Sequence, residues 1–377
     1  MEPWSAHHLY EKANTPLGEG AAQEITRYAM SLREKRLPVI FTLRHLAKIT
    51  DTDYRVLHAT VARKRENRNY RLFAVKKRSG GRRFLHAPCR TLSIVQEFLN
   101  REMLQRISPH PASFAFHSGV GIRECAQRHC GAKWLLHFDL KDFFHHVTEM
   151  EVFEIFKGLG YRPLLAFEIS RICTTTKLPR RLNELCKFPR SYRGLDADIP
   201  YPVSRWGVLP QGASTSPMLS NLAARALDDA LSKYARSNGF VYTRYADDLT
   251  FSASRLPKGK SISRIRKEIV GLVVECGFVE NESKFRVAGP GARKVVLGLL
   301  VDGERPRLTK ATVKRIDRLL YAIGKYGLVE VSKHERFDSA YGFYNHISGL
   351  IAYTKDVDMR RWEDFNERFQ KIPSPIS

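Results

Sequence analysis

Apolar positions along the chain switch between two periods, and the switches mark its elements. Through residues 1–60 they recur at helical spacing, most clearly from Ile25 to Leu32, so this stretch reads as helices and their connections. Tyr70 to Val75 and Phe84 to His86 read as two strands. Between them Ser79-Gly80-Gly81 offers the positive φ of a tight turn, and Pro88 follows the second. Lys133 to Leu140 is a short, mostly apolar run of the kind a buried strand shows. Thr148-x-x-Glu151 is a capping box, opening a helix through Met150, Phe153 and Phe156 that Gly158 and Gly160 stop. Ser216-Pro217 predicts an N-cap and a first-turn proline. The stripe Leu219, Leu222, Ala226, Leu227, Ala230 and Tyr234 then carries one helix to about Ser237 and the Asn238-Gly239 stop. Phe240 to Tyr245 and Leu249 to Ala253 flank a polar tip and predict a hairpin. Ile262, Ile265, Ile269, Leu272 and Val273 predict a helix ended by Gly277. Val295 to Val301 predicts a strand leading to an Asp302-Gly303 turn, and from Thr309 onward the chain reads as helical. The order strand, helix, helix, hairpin, helix, strand predicts an α+β fold, an antiparallel sheet backed by helices, followed by a mostly helical C-terminal region.

Charge adds a partner to this picture. Lys and Arg number 63 against 39 Asp and Glu, a formal net charge of +24 over 377 residues. The excess is spread over 63–68, 76–83, 178–193, 255–267 and 305–318, which predicts a partner with a continuous negative surface, nucleic acid first. Residues 176–206, rich in Arg, Pro and Tyr with weak periodicity, read as an insertion or long basic loop. No run approaches the roughly 18 apolar residues of a spanning helix, and no membrane partner is expected. Met1 to Gly20 carries Glu2, Glu11 and Glu19 without an apolar core, so no secretory signal is expected. The six cysteines form no CxxC pair. Cys125, His129 and Cys130 lie close together, but no second ligand cluster at zinc spacing accompanies them. Unpaired thiols in a reducing cytoplasm are the simpler account.

The sharpest chemical signal is Tyr245-Ala246-Asp247-Asp248, two adjacent carboxylates at the tip of an apolar hairpin. Like charges there repel, and a divalent cation with a taste for hard oxygen ligands would relieve them. Taken alone, the tip is better explained as a solvated Asp-Asp turn. His137-Phe138-Asp139-Leu140-Lys141-Asp142 adds a carboxylate at the end of the buried strand. Asp139 and Asp247 meet only if the fold brings them together, and that arrangement is what two-metal phosphoryl transfer uses. Between them, Leu209-Pro210-Gln211-Gly212-Ala213-Ser214-Thr215-Ser216-Pro217 offers small residues and exposed backbone before a helix, where a sugar or base could lie close to the main chain; a plain N-capped helix is the alternative.

Together these segments resemble the bacterial reverse transcriptases, most closely the retron type. The YADD tetrad, Asp139 and the 209–221 segment match that family's motifs in order and spacing. Lys76-Lys77 and Gly80-Gly81-x-Arg83 resemble its fingers hairpin, and Val296 to Val301 resembles its primer-gripping strand. Leu297 stands where retron enzymes often carry Thr in Val-Thr-Gly, and Cys125 stands for Asn in Asn-Ala-x-x-His. The resemblance covers about residues 38–370. It implies a right-hand polymerase: an N-terminal helical segment at 1–60, fingers at 61–130, palm at 131–293 with the basic insertion, primer grip and thumb at 294–377. It also implies RNA-templated DNA synthesis with two Mg²⁺ ions, Mn²⁺ being a substitute. Asp139, Asp247 and Asp248 would be the catalytic carboxylates and metal ligands, with the Leu140 carbonyl beside them. Phe144 would be the sugar gate, unless it is ordinary core packing; Gln211 would be a contact to the nucleotide, and Lys76, Lys77 and Arg83 contacts to the triphosphate. Lys284 would assist pyrophosphate departure, unless it is a surface lysine. Lys310, Lys314 and Arg318 recur every four residues and would present one basic helix face to nucleic acid, a merely solvated face being the alternative. The implied partners are a structured noncoding RNA as template and primer, dNTPs, the DNA product and a separate effector protein in anti-phage defence, all in the cytoplasm. A different defence-associated or group II intron-like reverse transcriptase is one alternative. A catalytically idle RNA-binding scaffold is another, and the intact carboxylate set argues against it.

Overall fold

Strand-prone and helix-prone runs settle close to where their periodicity puts them in a computed structural model that describes residues 5–76, 82–186, 200–201 and 205–375. Among these residues the strands are β1 (Tyr70–Lys76), β2 (Arg82–Pro88), β3 (Trp134–Asp139), β4 (Val241–Tyr245), β5 (Asp248–Ala253), β6 (Arg286–Ala288), β7 (Val295–Val296), β8 (Leu299–Leu300) and β9 (Arg307–Leu308). Every pairing is antiparallel, in three sheets ordered β1-β2, β4-β5-β3-β6 and β7-β8-β9, and helices account for most of the remainder, as an α+β fold requires. No helix among the described residues is long and apolar enough to cross a membrane. The chain divides into two units.

The first unit comprises Met1–Ser118, Leu140–Leu231 and Arg266–Asn281. Its N-terminal helices Ala6–Leu17, Leu43–Ile49 and Tyr54–Val61 begin where Ser5, Thr42 and Asp53 accept a backbone N–H, each satisfying one of the orphan donors of a first turn. β1 and β2 pair in register from Tyr70 opposite Pro88 to Lys76 opposite Arg82. The Ser79-Gly80-Gly81 turn lies outside the described residues, as do Lys77 and most of 187–204. The Thr148 capping box forms as expected, its backbone N–H donating to Glu151 at 2.6 Å. That helix, Glu149–Leu159, passes through Gly158 and is capped by Gly160 at φ 106°, so only the second glycine stops it. A helix that periodicity did not announce, Pro163–Cys173, follows. Every residue from Leu165 to Cys173 is buried, which erases the polar face on which a helical pattern depends.

The second unit comprises Gly119–Asp139, Ser232–Ile265 and Glu282–Ser377. Its main sheet places β3 between β5 and β6, with Trp134, Leu136 and Phe138 on one face of the strand and Leu135, His137 and Asp139 on the other. At its C-terminal end, helices Lys310–Tyr326, Leu328–His334, Ala340–Lys355 and Met359–Gln370 enclose a core that includes Ile316, Leu319, Phe343, Ile347, Ile351 and Phe365.

Two expected elements are corrected. Residues 295–301 do not form one strand. Leu297 and Gly298 both take positive φ, 48° and 87°, and fold β7 back on β8 through a two-residue turn of the type that fits strand twist. The expected helix from Ser216 to Ser237 is two, Ser216–Ala223 and Arg225–Ser237, parted at Ala224, and its N-cap is Thr215 rather than Ser216. In the first of these helices the Ser220 hydroxyl donates to the Pro217 carbonyl at 2.7 Å, a back-bond of the kind that bends helices. Asn221 is also committed to Ser113 and to the Ala115 carbonyl.

Candidate active site

The register of β3 with β5 sets Asp139 directly opposite Asp248, and that of β4 with β5 sets Tyr245 opposite Asp248. Directly opposed residues share a sheet face, with Cβ atoms about 4.5–5.5 Å apart. Alternation then gives that face Asp139 and His137 from β3, Asp248, Thr250 and Ser252 from β5, and Tyr245 and Thr243 from β4. The Thr250 hydroxyl lies 3.3 Å from His137 Nδ1, as this placement demands. Asp247 occupies the two-residue turn with Ala246, whose φ of 56° is unusual for a residue carrying a Cβ. Fully buried Arg244 donates to the Ala246 carbonyl at 3.2 Å and pins the turn from beneath.

Three carboxylates on so small a surface are electrostatically costly. Burial, then the charges of Asp247 and Asp139, push the Asp248 carboxyl up from 3.8 to about 6, while Lys284 and Arg286 pull it the other way. Lys284 forms an ion pair with Asp139, which is 3% exposed. Among the described residues no three His, Cys, Asp or Glu side chains converge as a ready-made metal site. The donor chemistry nevertheless fits a hard divalent cation: carboxylate oxygens without thiolate or imidazole, and a mutual repulsion that a cation relieves.

A pH signature follows. The folded Asp248 binds its proton more tightly than the unfolded one, so between about pH 4 and 6 the folded state holds more protons and its stability falls as pH rises. Above that window the repulsion stands in full. Mg²⁺ should therefore raise the thermal midpoint at pH 7.5 and change it little at pH 5. Equal shifts at the two pH values would contradict this origin.

The remaining candidates lie in the first unit, apart from Lys284 and the basic stripe. Leu140 is buried and bridges to Glu280. Phe144 is half-buried, its ring 5.7 Å from that of Phe143 and 6.1 Å from that of Phe116. The Gln211 carbonyl accepts the His86 N–H of β2 at 2.8 Å, and a Cβ on Gly212 (φ 122°) would sit 2.8 Å from the His86 carbonyl oxygen. Only glycine allows the β1–β2 hairpin to lie so close to this loop. Lys76 ends β1, and exposed Arg83 stands opposite Val75. In the second unit, Lys310 and Lys314 are exposed on helix Lys310–Tyr326 and line a groove with Arg307 and Arg361. Arg318 instead meets Glu335 at 3.1 Å.

Three residues gain a place that the sequence did not assign them. Lys284 meets a carboxylate 145 positions away. Phe116, 38% exposed and at φ 69°, backs the Phe144 ring; the aromatic pair Phe114-x-Phe116 is the signal for it in the sequence. His129 bonds to Thr243 and Ser252 rather than joining Cys125 and Cys130 around a metal, and all six cysteines are free thiols.

The family profile described as reverse transcriptase (RNA-dependent DNA polymerase) matches residues 75–299. The chain is 29% identical to the retron Ec86 reverse transcriptase of Escherichia coli, over 87% of this chain and 88% of that protein. It is 32% identical to the retron Mx65 reverse transcriptase of Myxococcus xanthus, over 88% of this chain and 72% of that protein. Among solved structures, telomerase from Candida albicans with a fragment of telomeric RNA aligns with a TM-score of 0.39 at 11% identity, over 80% of this chain and 66% of that one.

Proposed function

The chain belongs to the reverse transcriptase family, in its bacterial retron type, and from that premise we propose that it copies part of a structured noncoding RNA into DNA that stays joined to the RNA, using Asp139, Asp247 and Asp248. It is an RNA-directed DNA polymerase; the joined product, the carboxylate roles and the two-metal chemistry are the proposal. The observation that carries it is the in-register pairing of Asp139 with Asp248 beside a turn that presents Asp247. Two Mg²⁺ ions held there, or Mn²⁺ in their place, would supply Lewis acidity to the attacking hydroxyl and the leaving oxygen.

The chain's own residues do the rest. Asp139 and Asp247 serve as principal ligands, Asp248 as the third carboxylate, and the Leu140 carbonyl as a neighbouring oxygen. Lys76, Lys77 and Arg83 take the triphosphate charge, and Lys284 meets the departing pyrophosphate. Gln211 orients the nucleotide. Lys310 and Lys314, with Arg318 nearby, hold the nucleic-acid backbone. In this reading the fingers, palm and thumb follow the boundaries set out above. The system works in the cytoplasm with a separate effector in anti-phage defence.

The test is the nucleic acid made when purified protein, its copurified RNA, dNTPs and Mg²⁺ are combined. A species shortened by both RNase and DNase is expected; a free DNA strand with no attached RNA would refute the joined product.

Phe144 carries a second test. A ring at the gate clashes with a ribose 2′-OH, so Phe144→Ala should raise ribonucleotide incorporation about 10- to 100-fold, the range steric selection of this kind spans. Its packing on Phe116 and Phe143 also predicts a lower thermal midpoint. A lower midpoint with unchanged sugar discrimination would make the ring a packing residue only.

A further inference from the structure

His129 is completely buried, and both of its ring nitrogens are used. Nε2 lies 2.7 Å from the Thr243 hydroxyl and Nδ1 lies 2.7 Å from the Ser252 hydroxyl. Thr243 belongs to β4 and Ser252 to β5, the two strands whose turn presents Asp247, and both side chains share the face of Asp139 and Asp248. The Cys125 thiol adds a third contact, 3.3 Å from the Thr243 hydroxyl. The segment holding His129 is anchored on its other side as well. Gly131 N–H donates to the Val301 carbonyl at 3.0 Å, and Gln127 Nε2 donates to the Glu304 carbonyl at 3.0 Å. Ala126 packs in one core with Leu135, Val296, Leu299 and Val301. One short segment thus touches the carboxylate-bearing hairpin and the β7–β8 hairpin together.

We infer that His129 is a positioning residue for polymerisation, tying the β4–β5 hairpin to the β7–β8 hairpin and holding the Asp247–Asp248 tip at a fixed height above the sheet. This rests on the assignment of those carboxylates as catalytic.

The physical need is visible at the tip. Ala246 is held at positive φ, and three carboxylates repel one another there, so the arrangement persists only if its surroundings impose it. Phosphoryl transfer depends on that restraint, since a displacement of about 1 Å can cost on the order of 100-fold in rate. The ring is suited to the task because burial, and secondarily His137, keep it neutral, pushed down to about 3. A neutral imidazole donates through one nitrogen and accepts through the other, so each hydroxyl finds a complementary partner. A core histidine held only for packing would not commit both nitrogens to the two strands of one hairpin.

The experiment compares His129→Leu, His129→Gln, His129→Asn and Thr243→Val in steady-state extension of an RNA template, with thermal midpoint and RNA binding measured alongside. Glutamine keeps a polar atom near the Nε2 position facing Thr243; asparagine keeps one near Nδ1 facing Ser252. His129→Leu should lower kcat about 100-fold, with KM for dNTP and RNA affinity within about twofold of the native chain. His129→Gln should recover most of the loss and His129→Asn less, because Thr243 lies nearer the tip. Thr243→Val removes the hydroxyl at nearly constant volume, should lower kcat as well, and serves if His129→Leu does not fold. In combination with His129→Gln it should cancel the rescue. A folded His129→Leu or Thr243→Val protein with native kcat would overturn the inference, and so would a change confined to KM. The Asp247→Ala/Asp248→Ala chain separates the two failures. If it still polymerises, the site assignment is wrong; if it is dead while His129→Leu keeps native kcat, only the positioning role is wrong.

Discussion

Replacing Asp247 and Asp248 together by alanine should reduce DNA synthesis by more than about 1,000-fold while leaving the protein folded and its RNA affinity within about twofold. The loss is large because the turn carries Asp247 and the first residue of β5 carries Asp248, on the face that Asp139 shares. Ala246 is strained there, and Asp248 is held against the repulsion of Asp247 and Asp139. Removing two repelling charges relieves that repulsion, so the variant should melt no lower than the native chain in Mg²⁺-free buffer at pH 7.5. The stabilisation by Mg²⁺ at that pH should disappear with them. RNA affinity should persist because the basic residues that would hold the backbone, Lys310 and Lys314 among them, stand on a separate helix of the same unit. Primer extension, filter binding and calorimetry on one preparation decide the matter. Synthesis within tenfold of native would remove these carboxylates from the reaction. A lost fold would mean that the tip is held for structure.

The parts of this site that could be read from the chain are those whose geometry is local. The hairpin that presents Asp247 is written in two β-rich runs around a polar tip, and Asp139 stands at the end of a short, mostly apolar run of the kind a buried strand shows. The register that joins them is a tertiary fact, but the strands themselves can be found, one from its apolar run and the others from their β-rich composition. Where the chain misled, a residue took a conformation its type rarely adopts, or its partner lay far away. Leu297 has a β-prone side chain and yet turns at positive φ, so a hairpin read as one strand. Nothing near Lys284 advertises Asp139, since Lys284 lies in a short helical turn just ahead of β6 and meets the end of β3 only when β6 docks on that strand. His129 sits beside two cysteines in sequence, whereas its partners are 114 and 123 residues on. For Phe144 and the Gln211 segment the residues alone allow core packing and a plain N-capped helix, and only the family likeness gives them roles.

The largest expected change in stability lies away from the chemistry, at Glu149 in the first unit. Its carboxylate is fully buried and receives Arg63, Arg171 Nε at 2.7 Å and the Gly207 N–H at 2.8 Å. The two guanidiniums are fastened in turn: Arg63 to Glu66 and to the Thr174 carbonyl, Arg171 to the Val61 carbonyl. Burial alone would raise the Glu66 carboxyl, but Arg63, with hydrogen bonds from Thr175 and Thr176, brings it below its ordinary value. One acid thus joins the N-terminal helices, the helix Pro163–Cys173 and the strand-like stretch at Gly207, where a Cβ would collide with Arg63. Glu149→Gln keeps the shape and removes the charge, leaving two buried cations to share Glu66. Breaking a buried pair in this way costs about 3–5 kcal/mol, on the order of 10 °C in midpoint for a unit of this size. Glu330→Gln, which removes an exposed pair with Lys333, should cost less than about 0.5 kcal/mol and serves as the control. Thermal unfolding of the three proteins side by side, with DNA synthesis per folded molecule measured below the transition, is the check. A Glu149→Gln midpoint within about 2 °C of native would mean that the network organises this unit without stabilising it, as some buried ion clusters do.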